Sequence, residues 1–119
     1  MTDLSQRKCV PCEGGIPPLD AEKVKAYLKG LPDWKLSPDG KSICADYVMK
    51  DFMSAVELIN AAARVAESED HHPDMHLTGY RKLAIELSTH AIGGLSENDF
   101  ILAAKIDRLP KSLKIQKNS

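Results

Sequence analysis

The chain has 119 residues, of which 43% are hydrophobic, 28% charged and 5% aromatic, with a formal net charge of −1. That length suits one domain whose core draws mainly on Leu, Ile, Val, Ala and Met. The near-zero charge excludes an electrostatic pull toward nucleic acid or anionic membrane. No apolar run reaches the roughly 20 residues that cross a bilayer, and the polar start is not a secretory signal, so a cytoplasmic protein is expected.

Residues 1–19 carry Pro11, Gly14, Gly15, Pro17 and Pro18 without periodicity and read as a flexible lead-in. The cysteines Cys9, Cys12 and Cys44 are odd in number and few, which argues against a disulfide scaffold. Cys9-Val10-Pro11-Cys12 has the spacing of half a zinc site or a redox pair, but no second such pair follows, so it reads as a reduced-thiol segment.

Asp20 is a good N-cap for a helix over 21–29, where Ala21, Val24, Tyr27 and Leu28 share a face and Gly30 stops it. An extended piece over 31–36 holds Trp34, the single tryptophan. The turn residues Ser37-Pro38-Asp39-Gly40 lead into a strand over 42–48, completing a hairpin. Asp51 caps a helix to about Glu67 with Phe52, Val56, Ile59, Ala63 and Ala66 as its apolar stripe, widened by Ala55 and Ala62. Pro73 pushes the residue before it into extended geometry, and strands follow over 74–78 and 82–89. The second of these alternates Leu83, Ile85 and Leu87 against Lys82, Ala84, Glu86 and Ser88. Ser96 caps a last helix to about Arg108, Pro110 closes it, and 109–119 forms a tail.

The order α-β-β-α-β-β-α predicts an α+β fold over 20–108, a two-layer sandwich of a four-stranded antiparallel sheet with helices on one face. An open edge strand in so small a sheet invites a second copy, so a homodimer or homotetramer is expected.

All four histidines, His71, His72, His76 and His90, fall in one short window, with Glu67, Glu69, Asp70 and Asp74 around the first three. Histidine titrates near neutrality and carboxylates fix its tautomer, so acid–base chemistry is the favoured reading. The hairpin over 74–89 would bring its two ends, next to His72 and His90, side by side. A metal site built on His71, His90 and a carboxylate is a second reading. His72 and His76 would share a strand face about 13 Å apart, too far for one zinc. The third reading makes these histidines hydrogen-bonded caps at element ends, and His76, between Met75 and Leu77, fits it best.

The pattern Glu67-x-x-x-His71-His72-Pro73, followed by Tyr80, His90 and Asp99, resembles the signature of the pterin-4a-carbinolamine dehydratase family. The runs Leu87-Ser88-Thr89-His90 and Gly94-Leu95-Ser96 and the segment Pro32-Asp33-Trp34 are similar to that family too. The resemblance implies dehydration of 4a-hydroxytetrahydropterin to quinonoid dihydropterin and water, in support of tetrahydrobiopterin recycling. It implies a substrate released by an aromatic amino acid hydroxylase, and catalysis without metal or redox cofactor. By matching position, His71 would be the principal acid–base group, His90 a second one, and His72 a residue that orients substrate. Glu67 and Asp70 would position the histidines, and Trp34 would line the pocket. Ser88 and Thr89 would contact the pterin edge, and Asp99 would either support His90 or cap the last helix. The family implies a further class of function, binding a transcription factor as its dimerisation cofactor, and another pterin-handling role stays open beside it.

Overall fold

The computed structural model describes residues 19–89, 92–111 and 113. The expectations for residues 1–18, with Cys9 and Cys12, and for most of the tail lie outside the described residues, as does His90 itself.

Among the described residues, three helices and four strands follow in the order α1 (Ala21–Lys29), β1 (Trp34–Leu36), β2 (Ile43–Val48), α2 (Phe52–Glu69), β3 (Asp74–Thr78), β4 (Lys82–Leu87) and α3 (Glu97–Asp107). The strands form one antiparallel sheet in the order β1-β2-β4-β3, an open α+β architecture as the sequence predicts. Short polar side chains set the helix starts. The Asp20 carboxylate accepts from Lys23 N at 2.9 Å and Asp51 from Ser54 N at 2.8 Å, each relieving an N–H that the first turn leaves unpaired. The bond from Ser54 N holds the Asp51 carboxyl below the usual range, and the two caps explain why both helices begin where the sequence places them.

Register decides which side chains meet the helices. Trp34, Ala45, Ile85 and Met75 lie across the four strands in one row, and Tyr47, Leu83 and Leu77 in another. These rows face the core, packed against Val24, Leu58, Ala62, Ala66, Phe100 and Ile106 from the helices. The opposite face carries Lys35, Cys44, Glu86 and Asp74 in one row and Asp46, Ala84 and His76 in the next. A period of two residues separates the two faces cleanly along β2 and β4.

Three details differ from the sequence-based expectation. The buried stripe of α2 is Ala55, Leu58, Ala62 and Ala66, while Phe52 is 50% exposed. The apolar content of this helix is wide enough to support either face, and small alanines win the side against the sheet because they allow close approach. Strand β4 ends at Leu87, and Thr89 instead forms an isolated bridge with Gly94. Helix α2 runs on to Glu69, because Pro73 is far enough away to leave Glu67–Glu69 helical. No helix among the described residues is long and apolar enough to cross a membrane.

Candidate functional site

The end of α2 is shaped by a Schellman turn. Asp70 adopts the left-handed region at φ 53° and ψ 41°, its N–H bonds to Glu67 O at 3.2 Å, and the His71 N–H bonds to Ala66 O at 3.2 Å. Glycine usually fills that position, because a Cβ there costs energy. With Asp70 in it, the chain turns off the helix at once, and His71 follows directly on the turn. The left-handed backbone of Asp70 thus sets where His71 follows the helix. Asp70→Gly is expected to melt at or above the wild-type temperature with its turnover kept, while Asp70→Val loses about 1–2 kcal/mol. Loss of turnover in a stable Asp70→Gly would assign the work to the carboxylate instead.

The His71 side chain is 12% exposed, and its Nε2 lies 2.6 Å from Oδ1 of Asp99, whose side chain is fully buried. Asp99 is the third residue of α3, and its Oδ2 accepts from Ser96 N at 3.0 Å, the reciprocal arm of a capping box. The same Oδ2 accepts the Thr89 hydroxyl at 2.8 Å. Three donors thus serve one buried carboxylate, which offsets the cost of taking it out of water. A carboxylate only accepts, so Nε2 of the neutral imidazole carries the proton and Nδ1 is left with a lone pair. His71 can take a proton at Nδ1 while Asp99 holds the ring in place.

His72 points the other way. Its Nε2 lies 2.6 Å from Oε1 of Glu67, and the side chains are 55% and 77% exposed. A pair so open to water adds little stability but restricts the ring. An ion pair between Lys105 and Glu69 at 3.8 Å joins α3 to the same end of α2.

Of the remaining residues read from the sequence, Ser88 and Thr89 lie just past β4, and both line an open cleft of about 310 Å³ with Ser42, Asp74, Glu86 and Gly94. Thr89 is nevertheless 4% exposed, and its hydroxyl turns inward to Asp99. Trp34, expected to line a pocket, is 3% exposed in the helix-facing row of the sheet and is absent from the residues lining this cleft. Its indole N–H is buried beside the Asp107 carboxylate, and the Tyr47 hydroxyl is buried without a hydrogen-bond partner among the described residues. Burial, followed by the nearby carboxylates of Asp107 and Asp33, pushes the Tyr47 hydroxyl up from its ordinary value. His76 stands exposed on the open face of β3, across from Ala84.

Sequence reasoning did not reach the bond between His71 and Asp99 or the place of Ser96 beside it. The Ser96-x-x-Asp99 spacing marks a capping box and signals that Asp99 is turned inward, but nothing local names its histidine partner.

Among known proteins, the family model described as pterin 4 alpha carbinolamine dehydratase matches residues 17–109. A protein of Nitrosomonas europaea, provisionally named pterin-4-alpha-carbinolamine dehydratase, is 51% identical over 111 residues, covering 92% of this chain and 96% of its own. A protein of Halorhodospira halophila with the same provisional name is 43% identical over 106 residues, covering 89% and 96%. The crystal structure of a transcriptional coactivator/pterin dehydratase from Brucella melitensis superposes with a TM-score of 0.71 at 29% identity, over 76% of this chain and 95% of that one. The matched span holds all three helices, all four strands and both members of the His71–Asp99 pair, and the chain belongs to the pterin-4a-carbinolamine dehydratase family.

Proposed function

We propose that this protein dehydrates a 4a-hydroxytetrahydropterin to quinonoid dihydropterin and water, with His71 as its principal acid–base group. The observation that carries this reading is a nearly buried imidazole fixed by a fully buried carboxylate in a chain of this family. In the reaction the C4a–O bond breaks, the hydroxyl takes a proton and leaves as water, and a neighbouring ring nitrogen gives up its proton. The protons balance and no electrons are exchanged with an external partner, so the chemistry asks for one acid and one base near neutral pH. Nδ1 of His71 suits one of these transfers, and His90, by its matched position, is proposed for the other. His72, held by Glu67, is proposed to orient the ring system, and Ser88 to meet its edge.

The test generates the 4a-hydroxypterin in place with an aromatic amino acid hydroxylase and follows its ultraviolet decay, with and without chelator. Faster decay that persists in chelator supports acid–base catalysis by the chain's own residues. Folded protein that leaves the decay unchanged removes the proposal. A second reading, protein-partner binding, draws on the coactivator part of the Brucella protein's description. Such binding would survive His71→Ala, and dehydration would not.

A further inference from the structure

We infer that Thr89 is a positioning residue of this site, one that holds Asp99 in the orientation His71 needs rather than touching the substrate. The inference rests on the dehydratase reading for its kinetic arm alone. Thr89 Oγ1 lies 2.8 Å from Asp99 Oδ2 and 2.8 Å from Ser96 Oγ. A hydroxyl has one proton to give. Since the carboxylate can only accept, the Thr89 proton goes to Asp99, and the Ser96 hydroxyl must donate to Thr89. The bonds therefore run one way, from Ser96 through Thr89 and Asp99, where they meet the proton of His71 Nε2.

This direction matters because a carboxylate turns easily about its last torsion. With Asp99 fully buried, no bulk water stands ready to replace a missing donor. Ser96 N and Thr89 Oγ1 together hold Oδ2, and that leaves Oδ1 to His71. The main chain of Thr89 is committed as well. Its N–H bonds to Gly94 O at 2.9 Å, and its carbonyl accepts from Ile92 N at 3.2 Å and Gly94 N at 3.4 Å. Gly93, at φ 65°, makes the return of the chain that these bonds require. Thr89 is also the residue before His90 in the chain. One residue thus joins the partner of the first histidine to the start of the segment that carries the second.

A hydroxyl that touched the pterin and one that held Asp99 would differ in what their loss changes. The experiment compares Thr89→Val and Thr89→Ser with the full-length protein, by steady-state kinetics and by proton and nitrogen NMR of the His71 ring, identified by its absence in His71→Ala. For Thr89→Val the expected result is a roughly tenfold fall in kcat with KM unchanged. The His71 Nε2 proton resonance is expected to shift or broaden as its bond to Asp99 loosens. Thr89→Ser, which keeps the hydroxyl, is expected to restore both. A raised KM with unchanged kcat and an unchanged resonance would overturn the inference and return Thr89 to the substrate, and no change in any of the three would overturn it too. Should the valine variant fail to fold, Ser96→Ala, which removes the donor that orients Thr89, decides by the same readouts. If the folded wild-type protein has no dehydratase activity, the proposed function falls and the His71 resonance alone judges Thr89.

Discussion

His71→Ala is expected to lower turnover by about 10²–10⁴-fold, the usual worth of a positioned proton-transfer group. The same change should lower stability by about 1–3 kcal/mol, because Asp99 stays fully buried and loses one of its three donors. The remaining donors, Thr89 and Ser96, keep the carboxylate supported, so the variant should still fold. Denaturant unfolding and the dehydration assay measure the two effects separately. Wild-type turnover in a folded His71→Ala variant would take His71 out of the chemistry.

Asp99→Asn gives the second large effect, and its sign follows from the bonds around one side chain. Ser96 N and the Thr89 hydroxyl both donate to Oδ2, so the amide oxygen of an asparagine must sit there. The amide nitrogen then occupies the Oδ1 position and faces His71 Nε2 with a donor. His71 can answer only by moving its proton to Nδ1, the nitrogen that the proposed mechanism needs bare. A loss of turnover on the order of 10²–10⁴ is expected, by the tautomer argument that applies to hydrolase triads. Stability should fall only modestly, since the capping arm survives. Asp99→Ala is the contrast: it strands the donors of Thr89, Ser96 and His71 together and should cost about 3–5 kcal/mol. An Asp99→Asn variant with full turnover would show that His71 needs no fixed tautomer.

Much of the architecture is legible in the sequence for local reasons. Asp20, Asp51 and Ser96 mark helix starts because short acceptors relieve unpaired N–H groups, and the alternation in β4 gives the buried face because side chains in a strand alternate. The end of α2 is less legible. A left-handed residue is signalled by glycine, and here it is Asp70. The apolar stripe of α2 is ambiguous for a related reason, since a helix with Phe52, Val56 and Ile59 on one side and Ala55, Leu58 and Ala62 on another offers two candidate faces.

At the site, the histidines and acids stand out by type, but their pairing belongs to the tertiary fold. His71 and Asp99 are brought together by the ends of α2 and α3, and no spacing rule connects positions so far apart. The direction of the Thr89 hydroxyl and the face of Trp34 are also set by packing, which residue type alone leaves open. Local signals placed the elements, while contacts between element ends decided which neighbours each functional side chain acquired.

The strand order has a consequence for how the molecule assembles. Its two central strands, β2 and β4, are separated in the chain by the whole of α2 and β3, and Ile43 must find Leu87 to set their register. The β3–β4 hairpin can close over a short loop, but the sheet as a whole cannot until that long intervening segment is brought back on itself. Refolding is therefore expected to be slower than that of a helical bundle of this size, as a stopped-flow measurement would check, because closing a distant pairing costs more chain entropy. Trp34 lies on the edge strand β1, which reaches β2 over a short turn, so its pairing is local while its burial needs the helices as well.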